Sequence, residues 1–230
     1  MSKEDLEDMG IKKTLKFLQV VIVAGILYSC GTGGGAENGA SVVVELKSIS
    51  PTTAQIDLFD LVDSNGDGTC DYYLIPTQDT LISATFNVKS INPEKINPSD
   101  VNIYKYELSF SKEDEVSPTL KPLTLNMSCT AVVDQDTTCQ ATAVPLKLKK
   151  CILDYMVFAN IANASYGVNI KFYGNEVLYD NNINISGYFR FDAGHFGDDG
   201  CTVDNNLLYS DINNCECCQY IDDPNYCAGC

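Results

Sequence analysis

Ile183-Asn184-Ile185-Ser186-Gly187-Tyr188-Phe189-Arg190-Phe191 alternates apolar and polar residues without a break. Ile183, Ile185, Gly187, Phe189 and Phe191 share one side, and Asn184, Ser186, Tyr188 and Arg190 the other. Successive side chains of a strand point to opposite faces, so a period of two predicts one buried face and one wet face. An amphipathic helix repeats every 3.6 residues and cannot be read this way. The same period runs upstream through Val42–Leu46, Ile56–Leu58, Ile82–Val88, Tyr104–Phe110, Leu123–Cys129 and Val168–Phe172, with a shorter return near Thr138–Val144. About eight such strands, separated by Pro, Asn, Asp and Gly, predict an all-β chain in which two antiparallel sheets pack face to face. Lys147–Ala162 fits either a short crossover helix or an irregular buried strand.

Composition limits what such a chain can do. Apolar residues make up 45% of its 230 residues, enough for a core and too many for wholesale disorder. The formal net charge is −16, and Arg190 is the sole arginine. Such a surface repels phosphate backbones, so nucleic acid is not an expected partner. It does suit divalent cations.

Over residues 41–196 the pattern resembles the immunoglobulin-like sandwiches common in bacterial surface lipoproteins. The resemblance implies an immunoglobulin-like antiparallel β-sandwich followed by a small disulfide-rich tail. The chain has no Trp, so the Cys–Trp–Cys signature of true immunoglobulin domains is missing. Cys129 and Cys139 flank an acidic turn and invite a hairpin disulfide, worth roughly 3 kcal/mol for so short a loop.

Upstream of the strands, Lys12, Lys13 and Lys16 precede an apolar run from Phe17 to Tyr28. The run is too short to span a bilayer and has the length of a signal h-region. Residues 1–8 are net acidic, and a start at Met9 gives a more ordinary n-region. The run ends in Leu27-Tyr28-Ser29-Cys30, which resembles the lipobox of bacterial lipoproteins, with Tyr28 where that family has a small or aliphatic residue. The resemblance implies a signal peptide over 1–29, a lipid on Cys30 and an extracytoplasmic, membrane-anchored protein at a bacterial outer membrane or cell surface. Residues 30–40 then read as a glycine-rich tether. An uncleaved N-terminal anchor and an unlipidated signal peptide are the alternatives. The removed charges cancel, so the mature chain keeps −16.

Asp63-Ser64-Asn65-Gly66-Asp67-Gly68-Thr69-Cys70-Asp71 is the sharpest chemical motif. It is similar to the calcium loops of EF-hand and dockerin-type modules. The resemblance implies ligands from Asp63, Asn65 and Asp67, a carbonyl from Thr69 and a carboxylate from Asp71. Leu74 stands where that family has a bidentate Glu. Any calcium affinity is expected to be weak, on the order of 10⁻⁴–10⁻³ M. The other reading is a solvated Asn/Asp/Gly turn.

Eleven cysteines are many for this length. Setting Cys30 aside leaves an even set: Cys70, Cys129, Cys139, Cys151, Cys201, Cys215, Cys217, Cys218, Cys227 and Cys230. In an oxidising compartment these pair as disulfides, with connectivity not deducible from sequence. Residues 197–230 hold six of them and lack apolar alternation, so this tail is expected to rely on covalent staples. Cys227-Ala228-Gly229-Cys230 is one CxxC. A zinc ribbon needs two, and no haem motif accompanies it. A thiolate metal site and a redox pair are the rival readings.

His195, the single histidine, lies beside Asp192, Asp198 and Asp199. No GxSxG, HExxH or phosphate-binding glycine loop accompanies it. The sequence therefore predicts a non-enzymatic, lipid-anchored structural or protein-interaction module with an envelope or surface partner. A small-ligand or metal-binding lipoprotein using the Asp loop or the cysteine tail is the alternative. A hydrolase built on His195 is a distant third.

Overall fold

A computed structural model describes residues 40–74, 77–91, 94, 97–196, 201–203 and 214–228. In chain order these form β1 (Val42–Ser50), β2 (Thr53–Asp57), β3 (Asp60–Val62), β4 (Thr69–Cys70), β5 (Tyr72–Leu74), β6 (Thr80–Ser90), β7 (Val101–Lys112), β8 (Leu123–Ala131) and β9 (Asp136–Val144). Then come α1 (Leu146–Ala159), β10 (Asn163–Glu176), β11 (Asn182–Gly194), β12 (Thr202–Val203) and α2 (Asn214–Cys217).

The alternating strands form two sheets. One is three-stranded, in the order β1-β6-β9, and the other five-stranded, in the order β2-β11-β10-β7-β8. Their inward faces meet. Phe86 of β6 packs edge-on against Phe172 of β10, with centroids 5.0 Å apart. The Tyr106 hydroxyl of β7 donates to the Thr142 carbonyl of β9 at 3.0 Å and accepts the Thr142 N–H at 2.8 Å. A bond from one sheet to the edge of the other fixes their offset as well as their contact. At Gly187 of β11 an added Cβ would lie 2.5 Å from Leu46 and 2.6 Å from Ile49 of β1, so the missing side chain lets those residues in.

The strands lie where the alternation places them, with local departures. Tyr104 is 40% exposed at a bulge between Ile103 and Lys105, so it leaves the inward row it was expected to join. A bulge carries an extra residue, which shifts the facing of its neighbours. The expectation of purely antiparallel sheets also needs correction, because β2 pairs parallel with β11 (Thr53↔Arg190 to Asp57↔Gly194). The chain steps from β1 to the other sheet at Pro51 without reversing direction, and β11 already runs that way.

Lys147–Ala162 resolves as the helix. Leu148, Cys151, Ile152, Tyr155 and Met156 are buried at helical spacing. Asn160 ends α1 in the left-handed region, with φ 52° and its N–H on the Met156 and Val157 carbonyls. The helix carries the chain from β9 in one sheet to β10 in the other.

The strand ends define two poles. At the entry pole, Val42 pairs with Ser90 and Val101 with Glu176. Both N–H groups of Ser41 and Val42 donate to the Glu176 carboxylate, at 2.8 and 3.1 Å. At the opposite pole, Asn163 pairs with Gly194 and Thr80 with Val144. Around these gather α1, the small strands β3–β5 and β12, and the cysteine-rich tail. This is the cap pole.

Candidate functional site

The Asp loop sits on the cap pole at the tip of the antiparallel β3–β5 pair. Its oxygens are turned onto its own backbone. Asp63 Oδ1 accepts the Asn65 and Gly66 N–H groups at 3.2 and 2.7 Å, and Oδ2 accepts that of Gly68 at 2.8 Å. Asn65 Oδ1 accepts from Asp67 N–H at 2.8 Å, and Asp67 Oδ1 from Thr69 N–H at 2.7 Å. Side-chain oxygens that bond two residues ahead are what favours Asn and Asp in such turns. Asp71 closes the loop by accepting the Ser64 N–H at 2.8 Å and its hydroxyl at 2.6 Å. Gly66 and Gly68 have φ of 78° and 84°, where an L side chain is strained. The Gly68 N–H, with help from Gly66, Asn65 and Asp67, holds the Asp63 carboxyl below its ordinary range against the opposing effect of burial.

Asp63, Asn65, Asp67, Thr69 and Asp71 are thus brought onto one turn, with Asp63 kept ionised. Among the described residues, no group of three or more His, Cys, Asp or Glu is gathered in a way that could hold a metal ion. The order of the loop comes from its own N–H groups.

The loop is tied down covalently. Cys70 forms a disulfide with Cys201, and β4 pairs parallel with β12 beside it. His195 follows β11 in the same region. Its ring stacks on Phe59 with centroids 4.8 Å apart and planes 13° apart, and Nδ1 lies 3.1 Å from the Phe59 carbonyl. The imidazole fastens β11 to the chain leading into β3. Asp192, the one of its three neighbouring aspartates among the described residues, accepts the Ser165 hydroxyl at 2.6 Å and faces Arg190 at 3.3 Å. Asp198 and Asp199 lie outside the described residues.

The hairpin disulfide Cys129–Cys139 is present, but it joins the edges of different sheets, since β8 pairs with β7 and β9 with β6. The tail reaches further than local stapling. Cys217 bonds to Cys151 of α1, Cys201 to Cys70, and Cys218 to Cys227. Cys215 is disulfide-bonded as well, while Cys230 and Cys30, the residue expected to carry a lipid, lie outside the described residues. Cys217, Ile221 and Tyr226 are buried in the main core, so the tail shares the core of the sandwich. Backbone bonds from Lys121 N–H to Tyr220 O and from Asp222 N–H to Thr119 O, both 2.8 Å, zip it to the segment before β8. The Tyr155 hydroxyl of α1 donates to Asp223 at 2.8 Å, and the Tyr226 hydroxyl donates to Asp154.

Sequence reasoning passed over several polar residues. Asp114 accepts the Ser117 N–H and hydroxyl at 2.6 and 2.7 Å and the Ser165 N–H at 3.1 Å. Burial works to raise its pKa, but the Ser117 and Ser165 bonds outweigh it and hold the carboxyl low. Arg190 Nη1 meets Glu113 at 2.8 Å, and the same carboxylate accepts the Tyr188 hydroxyl at 2.9 Å. With carboxylates on both sides, Arg190 presents no uncompensated cation. Glu176 is fully buried. Its place was legible, since counting by two from Val168, Ile170 and Phe172 carries it onto the inward face.

No family model, no curated protein and no solved structure matches this chain.

Proposed function

We propose that this chain is a lipid-anchored, extracytoplasmic module without catalytic activity, held to a membrane through Cys30 and presenting its cap pole to an envelope or surface protein. One observation carries the reading. The described chain begins at the entry pole, with Ser41 and Val42 clamped by Glu176, while the Asp loop and the tail occupy the other pole. An anchor at Cys30 therefore leaves the cap pole facing away from the lipid. The use of His195 as a packing residue supports the non-catalytic reading.

The strand order supports an immunoglobulin-like fold. In that scheme β1, β6 and β9 take the places of strands A, B and E, and β7, β10 and β11 those of C, F and G, with β8 as C′. Where antibody domains join B to F by a disulfide, Phe86 and Phe172 pack instead. Extracted from its own membrane in mild detergent, the lipidated chain is expected to run as a stoichiometric complex by light scattering. A monomer under every extraction condition contradicts the interaction role.

A second reading is favoured by the positive φ of Gly66 and Gly68 and by the ionised Asp63. In it, the Asp loop exchanges some of its N–H bonds for a weakly held calcium ion. Calorimetric titration with calcium is expected to give a dissociation constant on the order of 10⁻⁴–10⁻³ M, abolished by Asp67→Ala. Heats identical for the native chain and D67A remove this reading.

A further inference from the structure

The entry pole carries an apolar tip that the core does not use. Val177, Leu178 and Tyr179, in the turn between β10 and β11, are 57%, 64% and 43% exposed. Ile91 is 48% exposed, and its N–H donates to the Ser41 carbonyl at 3.0 Å. The turn is held firmly. Val177 N–H donates to the Asp100 carbonyl at 2.9 Å, Leu178 N–H to the Ser99 hydroxyl at 2.9 Å, and the Tyr179 hydroxyl to the Asn97 carbonyl at 3.0 Å. These bonds fix the turn and hold the Tyr179 ring back through its hydroxyl, while the Val177 and Leu178 side chains stay exposed.

We propose that this tip inserts into the lipid surface to which the chain is anchored. The proposal rests on the Cys30 anchor. The occupant follows from where the chain enters. Glu176, which holds the Ser41 and Val42 N–H groups, immediately precedes Val177. The described chain therefore enters the fold at Ala40 beside the tip, ten residues after Cys30. Ten residues of chain extend at most about 35 Å, so the tip is confined near the bilayer whatever path the segment takes. Confinement of that kind makes a weak second contact effective, because its local concentration is high. A tyrosine flanked by aliphatic residues suits the boundary between headgroups and acyl chains, since its ring is apolar and its hydroxyl polar. Among the described residues flanking the turn, Asp100 and Asp180 are acidic, and Asp180 accepts the Asn175 amide at 2.6 Å. Insertion is thus driven by apolar area and does not call for anionic lipid. A second copy of this chain is disfavoured, because it would bring two acidic rims together.

The chain contains no Trp, so a single indole reports cleanly. Leu178→Trp is compared with Phe158→Trp, which lies 56% exposed at the end of α1 on the cap pole. Each full-length lipidated variant is reconstituted in phosphatidylcholine vesicles containing acyl-brominated lipid. The L178W indole is expected to shift to the blue and to be quenched at least about twofold more than that of F158W. Adding Val177→Asp is expected to reverse most of the difference. Equal, weak quenching in both variants, with the protein still floating with the vesicles, overturns the tip while leaving the anchor in place. A protein that does not float with the vesicles removes the anchor, and the tip with it.

Discussion

The two poles of this sandwich are held by different physics. At the cap pole, Cys70–Cys201, Cys151–Cys217 and Cys218–Cys227 close covalent loops around α1, the Asp loop and the tail. At the entry pole, a single buried carboxylate, Glu176, gathers the start of β1 and the turn after β10, also accepting the Asn181 amide at 3.0 Å. The cap has few alternating strands to bury and is stapled. The entry pole is the end of the ladder and is closed by hydrogen bonds. Three of the described disulfides lie at the cap and one, Cys129–Cys139, on the entry half, where it links the edge strands β8 and β9, so redox state bears mainly on the cap.

The largest test of that contrast removes a staple. The Cys151–Cys217 disulfide spans 66 residues of chain. The double substitution Cys151→Ser with Cys217→Ser is expected to cost roughly 4 kcal/mol in urea denaturation on chain-entropy grounds. By hydrogen exchange, amides of α1 and the tail should lose protection first, with β10 and β11 holding at their Glu176 end. Equal loss at both poles would dissolve the distinction.

Glu176→Ala inverts the experiment. It leaves the buried Ser41 and Val42 N–H groups without their acceptor, an expected cost of about 1–3 kcal/mol. The start of β1 should exchange faster while Cys217 and Ile221 stay protected. An unchanged β1 would show that the carboxylate is not what fastens this pole.

The smallest effect is the dependence on pH. The Tyr155 hydroxyl, with the Tyr226 and Asn225 N–H groups, lowers the Asp223 carboxyl, and hydrogen bonds lower Asp114. A depressed folded pKa contributes stability that is present above the ordinary value of 3.8 and is lost as pH falls through the folded value. Tyr155 moves the other way. Burial, and then the Asp223 carboxylate, push it up to about 12. Its contribution is present below the ordinary value of 10 and is lost as pH rises towards 12. The cap should therefore loosen below about pH 4 and again above about pH 10, with Asp223→Asn weakening both transitions in circular dichroism.

The strands of the two main sheets were legible because their alternation is carried by residues such as Phe172, Phe189 and Phe191, which stay fully buried. The spacing of Leu148, Cys151, Ile152, Tyr155 and Met156 also held the helix, but so short an apolar segment is equally consistent with a buried strand until its partners are known. The bulge that turns Tyr104 outward depends on cross-strand register, and the parallel placement of β2 on the chain's step between sheets. Neither is a local property. The cysteines announced disulfides by number, but the pairing of Cys217 with Cys151 follows from how the tail docks on α1, a tertiary fact. In the Asp loop the residue types were plain, whereas the turning of Asp63, Asn65 and Asp67 onto backbone N–H groups became visible only in three dimensions.

Intact-mass spectrometry of the protein isolated from the cells that make it, before and after reduction, tests the proposed anchor most directly. A chain beginning at Cys30 with a lipid-sized increment, gaining about ten hydrogens on reduction, is the expected result for an anchored module with every other cysteine paired. An unlipidated chain that retains residues 1–29, or one that gains no mass on reduction, would contradict it.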